Sequence, residues 1–178
     1  MRTKKIFGDY FSKMKTGFNE LLSYFPAVEI PFTLQEGSEH EFGLNNDYTP
    51  MSMLDEWIYP HLPFVADEFT EIIPGVHWKT TGGCTLLVFW SARLMKYSFI
   101  IYSFDQNGKW IDQAEVAGFT ALGDEVVRRM ASINDPDTIY VVEGVQKINA
   151  TDIRPGDSRK WEIQVLSTGE LHELELVG

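Results

Sequence analysis

The chain has a single cysteine, Cys84, so no internal disulfide framework staples it; that usage fits a reducing compartment or indifference to redox. Long apolar runs are missing too, and nothing approaches the roughly 20 residues that a membrane-spanning helix requires. The amino-terminal stretch MRTKKIFGDYF begins like the basic part of a signal peptide. Asp9, Ser12, Lys13 and Lys15 then interrupt before an apolar core can develop. The expectation is a cytoplasmic protein. Positive charge is the third scarcity: 15 Lys and Arg stand against 26 Asp and Glu, a net charge of −11. Nucleic-acid binding needs clustered cations that displace counterions, so this balance argues against it, and against an anionic membrane surface for the same reason.

The scarcity is concentrated. Residues 16–78 contain no Lys or Arg, yet carry Glu20, Glu29, Glu36, Glu39, Glu41, Asp47, Asp55, Glu56, Asp67, Glu68 and Glu71. The first 15 residues are net basic, with Arg2, Lys4, Lys5, Lys13 and Lys15 against Asp9. One reading of the middle segment is a solvated face that keeps the protein soluble. The other is a recognition surface whose field attracts a basic partner. Glu36, Glu39, Glu41 and Asp47 crowd the part richest in loop signals, and are the candidate binding residues.

What is present builds a core. The composition is 44% hydrophobic and 13% aromatic, and the length suits one domain, residues 1–178. A helical, loop-rich acidic part is expected over 1–75 and a β-meander over 76–178. In residues 6–25, Phe7, Phe11, Met14, Phe18, Leu21, Leu22 and Phe25 recur at spacings of three and four. This predicts an amphipathic helix that packs its aromatic stripe on a sheet, with Phe11, Phe18, Leu22 and Phe25 in the core; Pro26 ends it. Residues 26–50 predict a short extended piece at 28–34 and then irregular chain. A short helix is expected at 51–59, with Met51, Leu54, Trp57 and Ile58 on one face. A loop with a helical turn near 65–72 should follow.

From residue 76 the period becomes that of strands. CTLLVFW (84–90) is apolar throughout, as in a strand buried on both faces. LMKYSFIIYSF (94–104), KWIDQAEV (109–116), DTIYVVEGVQKI (137–148), KWEIQVL (160–166) and LHELELV (171–177) also read as strands. EVVRRMASI (125–133) fits a strand or a helical turn. Turns at DQNGK, NDPD and STGE separate these runs and predict an antiparallel meander of six to eight strands. The fold class is α+β: the amino-terminal helix packed on that meander.

DQNGK raises a separate question, because Asp105, Asn107 and Gly108 resemble the start of a calcium loop. Counted from Asp105, however, Gly108 comes at position 4, Lys109 at 5 and Val116 at 12. An EF-hand wants an oxygen ligand at 5, Gly at 6 and Glu at 12. A hairpin turn explains Asn107-Gly108 better.

Catalytic signatures are absent. There is no G-x-S-x-G, P-loop, G-x-G-x-x-G or H-E-x-x-H. Cys84 and His77 are near in sequence, but nothing fixes them as a nucleophile and base. The bunched Glu36, Glu39, His40 and Glu41 lack the spacing of a metal site, so no metal or cofactor is expected. Trp90 and Trp161 lie in strand patterns that core packing explains.

The run YFPAVEIPFTL, followed by a β-rich half carrying YSFDQNGKWID, resembles uncharacterised bacterial proteins of similar size. The resemblance implies a bacterial, non-enzymatic protein and no activity. The chain differs in lacking the lipoprotein or secretion signal that some of them carry. The expected function is a non-enzymatic acidic domain that binds a basic protein, of the inhibitor or immunity type. The alternative is a small-ligand or carbohydrate-binding domain, or a hydrolase without a recognisable motif, built on aromatic and acidic residues of a sheet cavity.

Overall fold

The computed structural model describes residues 17–149 and 158–176. Among them, nine strands form one antiparallel sheet: β1 (Phe32–Leu34), β2 (Glu71–Lys79), β3 (Thr85–Arg93), β4 (Lys96–Phe104), β5 (Trp110–Leu122), β6 (Glu125–Asp135), β7 (Thr138–Lys147), β8 (Arg159–Val165) and β9 (Leu171–Glu175). From β2 to β9 every strand pairs with its neighbour in sequence, and β1 pairs with β6. The meander is therefore present but larger than expected. The segment 125–133 is strand rather than helix, and β2 starts at 71, where a helical turn was expected. That start was hidden by a bulge between Pro74 and His77 that breaks the alternation.

Helices are few and short. The first, α1 over 17–22, is the described part of the expected 6–25 helix; Phe11 and Met14 lie outside the described residues. Phe18, Leu21 and Phe25 are buried and Leu22 is half-buried, as the aromatic stripe requires. Where irregular chain was expected, α2 (Ser38–Asn45) forms. Then α3 (Met51–Met53) runs into a π turn, Leu54–Ile58, and a 3₁₀ turn, Tyr59–His61. Leu54, Trp57 and Ile58 are buried; Met51, at the very start of the helix, faces solvent instead of sharing their face.

Two cores lie on opposite sides of β3 and β4. Leu86, Val88, Phe99 and Ile101 meet Leu34, Trp78, Val116, Ile133, Ile139, Val141, Trp161 and Ile163, so the sheet coils until β2 through β8 share one interior. Leu87, Phe89, Ile100, Tyr102 and Phe104 point the other way, under Phe18, Leu21, Phe25, Leu54, Trp57 and Ile58. The alternation in β8 holds as expected: Trp161, Ile163 and Val165 are buried. In β9 it does not produce a buried face, because His172, Leu174 and Leu176 are all exposed.

The chain from α1 to β1 seals the sheet's first edge. Val28 N–H donates to His77 O at 3.0 Å and His77 N–H donates to Pro26 O at 3.0 Å, alongside β2. The same segment passes through the cis Ile30–Pro31 bond, and Val28, Ile30 and Phe32 pack on the larger core.

The turn at 105–108 is local. Asp105 Oδ1 accepts from Asn107 N–H at 2.8 Å and Lys109 N–H at 2.9 Å. Only Gly108 takes a positive φ, 81°, so the connection is not the two-residue turn with both central residues left-handed. A Cβ on Gly108 would stand 2.6 Å from Phe18 Cβ, so this turn also seats α1. Urea unfolding should show Phe18→Ala destabilised by about 3 kcal/mol, as for a large buried aromatic, and Gly108→Val by at least about 1 kcal/mol. The double variant should lose less than the two effects combined, because removing the Phe18 ring makes room for the valine.

Candidate functional site

The acidic segment is held by a few inward anchors. At α2, Ser38 Oγ accepts from Gln35 N–H at 3.1 Å, and Glu39 Oε2 accepts from Gly37 N–H at 2.9 Å. Phe42 turns inward to meet Phe99 edge-on, with ring centroids 6.0 Å apart. It closes over Gly75, where any Cβ would run into Val88 O and the Phe42 ring. Asn46 Nδ2 then donates to Pro74 O at 2.6 Å and Gly75 O at 2.7 Å, tying the end of α2 to the β2 bulge.

These anchors decide where the four candidate carboxylates go. Glu36 forms an ion pair with Arg128 of β6. Glu39 lies close enough to act on Tyr97, whose hydroxyl is pushed up to about 12 by burial first, and then by the charges of Glu36 and Glu39. Glu41 and Asp47 face solvent. The four therefore line a surface around α2 rather than converge on a point, and Glu36 already has a cation.

Reading for charge alone missed the apolar residues beside them. Leu44, Tyr48, Met51, Val65 and Phe69 are between 62% and 92% exposed. All five fall within the cation-free segment. The last two sit on a loop closed by Asp67, whose Oδ1 accepts from Phe69 N–H and the Thr70 hydroxyl, each at 3.0 Å. That closure presents the Phe69 ring to solvent.

A second feature is a cleft of about 370 Å³ where β5 approaches β9, lined by Pro63, Asp112, Glu115, Arg129, Leu171 and Glu173 among others. Asp112 Oδ2 accepts from Leu171 N–H at 3.0 Å. Arg129 Nε donates to Glu143 Oε2 at 2.8 Å, Nη1 donates to Glu115 O at 3.3 Å, and its guanidinium lies 4.9 Å from the Trp161 ring. Lys96 pairs with Glu115 at 2.8 Å. No motif marks this site in the sequence. The one signal is that Asp112, Glu115, Arg129 and Glu143 sit inside otherwise apolar strands, where a charge calls for a partner.

A third is a hollow of about 360 Å³ beside Tyr97, Gly118, Met130 and Val142, rimmed by Glu36, Arg128 and Glu143. Among the described residues, no group of three or more His, Cys, Asp or Glu is placed to hold a metal ion. None of their helices is long and apolar enough to cross a membrane. Cys84 is buried, its Sγ 3.9 Å from Ser167 O. No family model, no curated protein and no solved structure matches the chain.

His61 stacks flat on Trp110, with ring centroids 4.3 Å apart and 3° between planes. Burial lowers its pKa below the ordinary 6.5, so the folded chain binds a proton there less readily than the unfolded chain. Its share of stability is present above the ordinary histidine value and is lost as pH falls through it. Melting temperature should fall between about pH 7.5 and about pH 5.5, the histidine range. His61→Phe keeps the stack and should make that fall shallower.

Proposed function

We propose that the protein is a non-catalytic, acidic protein-binding domain that captures a basic partner, in the manner of a small inhibitor or immunity protein. The observation that carries this reading is the mixture at α2, α3 and the 62–70 loop. Five large apolar side chains stand exposed among carboxylates, in a stretch of chain without a cation. Large apolar side chains left exposed along one segment support an interaction surface there, and the single-sign charge of that segment selects a cationic partner and speeds its encounter. The rival, a small-ligand or carbohydrate site, is favoured by one observation: the hollow beside Tyr97, with Met130 and Val142 as its apolar floor.

The two readings separate in a pull-down from lysate of the source cell, run at low and high salt. Two variants are compared with the wild type: Glu36→Gln, Glu39→Gln, Glu41→Gln and Asp47→Asn together, and Leu44→Ser with Tyr48→Ser. Surface changes of this kind should each shift stability by no more than about 0.5 kcal/mol, with Glu36→Gln also losing its exposed ion pair with Arg128. The wild type should hold a basic protein that high salt and either variant release. Equal recovery by all three sinks the reading, and a hit on a glycan array that Tyr97→Ala removes would install the rival.

A further inference from the structure

The two ends of the sheet are treated differently. The edge of β2 is covered by residues 26–28, and carries Pro74 and a bulge. Those are devices that keep an edge from pairing with another chain. At the other end, β9 has no proline, no lysine and no bulge, and among the described residues no strand lies beyond it.

The direction of its backbone follows from one hydrogen bond. Leu176 N–H donates to Lys160 O at 2.8 Å, and the register pairs His172 with Gln164 and Leu174 with Glu162. In an antiparallel ladder bonded and non-bonded pairs alternate. The even residues of β9 therefore bond to β8, while Leu171, Glu173 and Glu175 turn N–H and C=O outward. Asp112 takes the Leu171 N–H. The outward groups of Glu173 and Glu175 face the cleft and solvent.

The side chains are sorted as well. Glu173 and Glu175 point to the face of Ile163 and Trp161, where Arg159 already holds Glu175 by two hydrogen bonds, at 3.0 and 3.2 Å, which leaves Glu173 as the β9 carboxylate beside the cleft. His172, Leu174 and Leu176 point to the other face, where the register continues through Glu162 to exposed Tyr140 and through Lys160 to exposed Val142 and Met130.

We propose that the outer edge of β9 is a strand-addition site for an extended segment of a partner protein with Lys or Arg at every second position and apolar residues between. This rests on the basic-partner reading above and adds to the α2 surface a second, separate contact for the same partner. The incoming backbone pairs with Glu173 and Glu175. Its cations lie on the carboxylate face, one of them over the cleft between Glu173 and Asp112, since Glu115 is already held by Lys96, and its apolar side chains extend the Leu174 and Val142 face. A second copy of this chain is the wrong occupant, because β9 against β9 sets its two glutamates against their own copies on one face.

The probe is the peptide acetyl-KVKVKVK-amide, with a charge-reversed EVEVEVE peptide and a blocked KKKKVVV peptide as controls. Binding is read by titration, and by amide hydrogen exchange of the full chain. The alternating basic peptide should bind and slow exchange at Glu173 and Glu175, and neither control should do so. Glu173→Pro removes an outward donor while sparing the β8 ladder, and should weaken binding roughly tenfold, as expected for losing one or two backbone hydrogen bonds. Glu173→Gln keeps the donor and should lose less. Should Glu173→Pro fail to fold, exchange in the wild type decides alone.

Absence of binding overturns the site, as does binding of KKKKVVV without protection at 173 and 175. So does a concentration-dependent dimer that Glu173→Pro abolishes, since the occupant is then a second copy. The variant neutralised at Glu36, Glu39, Glu41 and Asp47 should bind the peptide unchanged. If it alone loses binding, the acidic surface is the site and the β9 edge is not. If no peptide binds while the wild type still captures a salt-sensitive partner, strand addition fails and the basic-partner reading stands.

Discussion

Strands β3 and β4 are apolar on both faces, and each face must be covered by something. Leu86, Val88, Phe99 and Ile101 require one cover; Leu87, Phe89, Ile100, Tyr102 and Phe104 require another. The coiling of the sheet supplies the first, because strands that pair only with their sequence neighbours can curl until β6, β7 and β8 lie over β3. The second cannot come from the sheet and is supplied by α1 and residues 54–64. Tyr102 shows how strict the demand is. Its ring is fully buried and its hydroxyl donates to Ile58 O at 2.9 Å, so a covering residue satisfies the one polar atom there. Burial accordingly drives its pKa upward.

The acidic segment is thus a covering layer before it is a surface. Its inward residues are spoken for: Phe42 and Asn46 at β2, then Leu54, Trp57 and Ile58 on the second core, then Phe64 with the Arg93 guanidinium 3.7 Å above its ring. What remains outward is carboxylate and unclaimed apolar side chain. Burying a large apolar side chain contributes roughly 1.5–3 kcal/mol, whereas exposed charges a Debye length apart interact weakly. A handful of anchors therefore outweighs the mutual repulsion of eleven carboxylates. The same balance explains why the segment can carry a field of one sign without unfolding.

Much of this was legible because it is written in local pattern. The apolar run at 84–90, the alternation at 160–166 and the turns at 105, 134 and 167 each depend on near neighbours only, and each stands where expected. What escaped depends on distant partners. The helix α2 has little amphipathic pattern, since Phe42 is its main anchor and its seat is Gly75, far along the chain. The strand β2 carries a proline and a glycine at its bulge, which read as loop until β3 pairs across them. Of the candidate carboxylates, Glu36 could be seen as a charge, but its ion pair is with a residue 92 positions away. The exposure of Met51 was hidden for the opposite reason, because apolar residues at helical spacing are expected to be buried; Leu44 and Tyr48 lay in a stretch expected to be irregular chain, which carries no pattern to sort inward from outward side chains.

The openness of the cleft has its own cause. β5 pairs with β6 only over Gly118–Leu122, so the first half of β5 keeps one edge free, and β9 brings another free edge toward it. Two such edges would ordinarily pair and close the sheet. Here side chains intervene. Asp112 takes the outward N–H of Leu171, and Arg129 takes the carbonyl of Glu115, while being held by Glu143 and lying against the Trp161 ring. Each side chain occupies a backbone group that strand pairing would need, and the bulk of each holds the strands apart. Arg129 cannot withdraw without leaving Glu143, nine-tenths buried, without its cation, a penalty of several kcal/mol. A buried ion pair thus acts as a spacer. It adds little to stability by itself, but it keeps the coiled sheet from closing, and leaves β9 with backbone groups turned outward beside an acidic cleft.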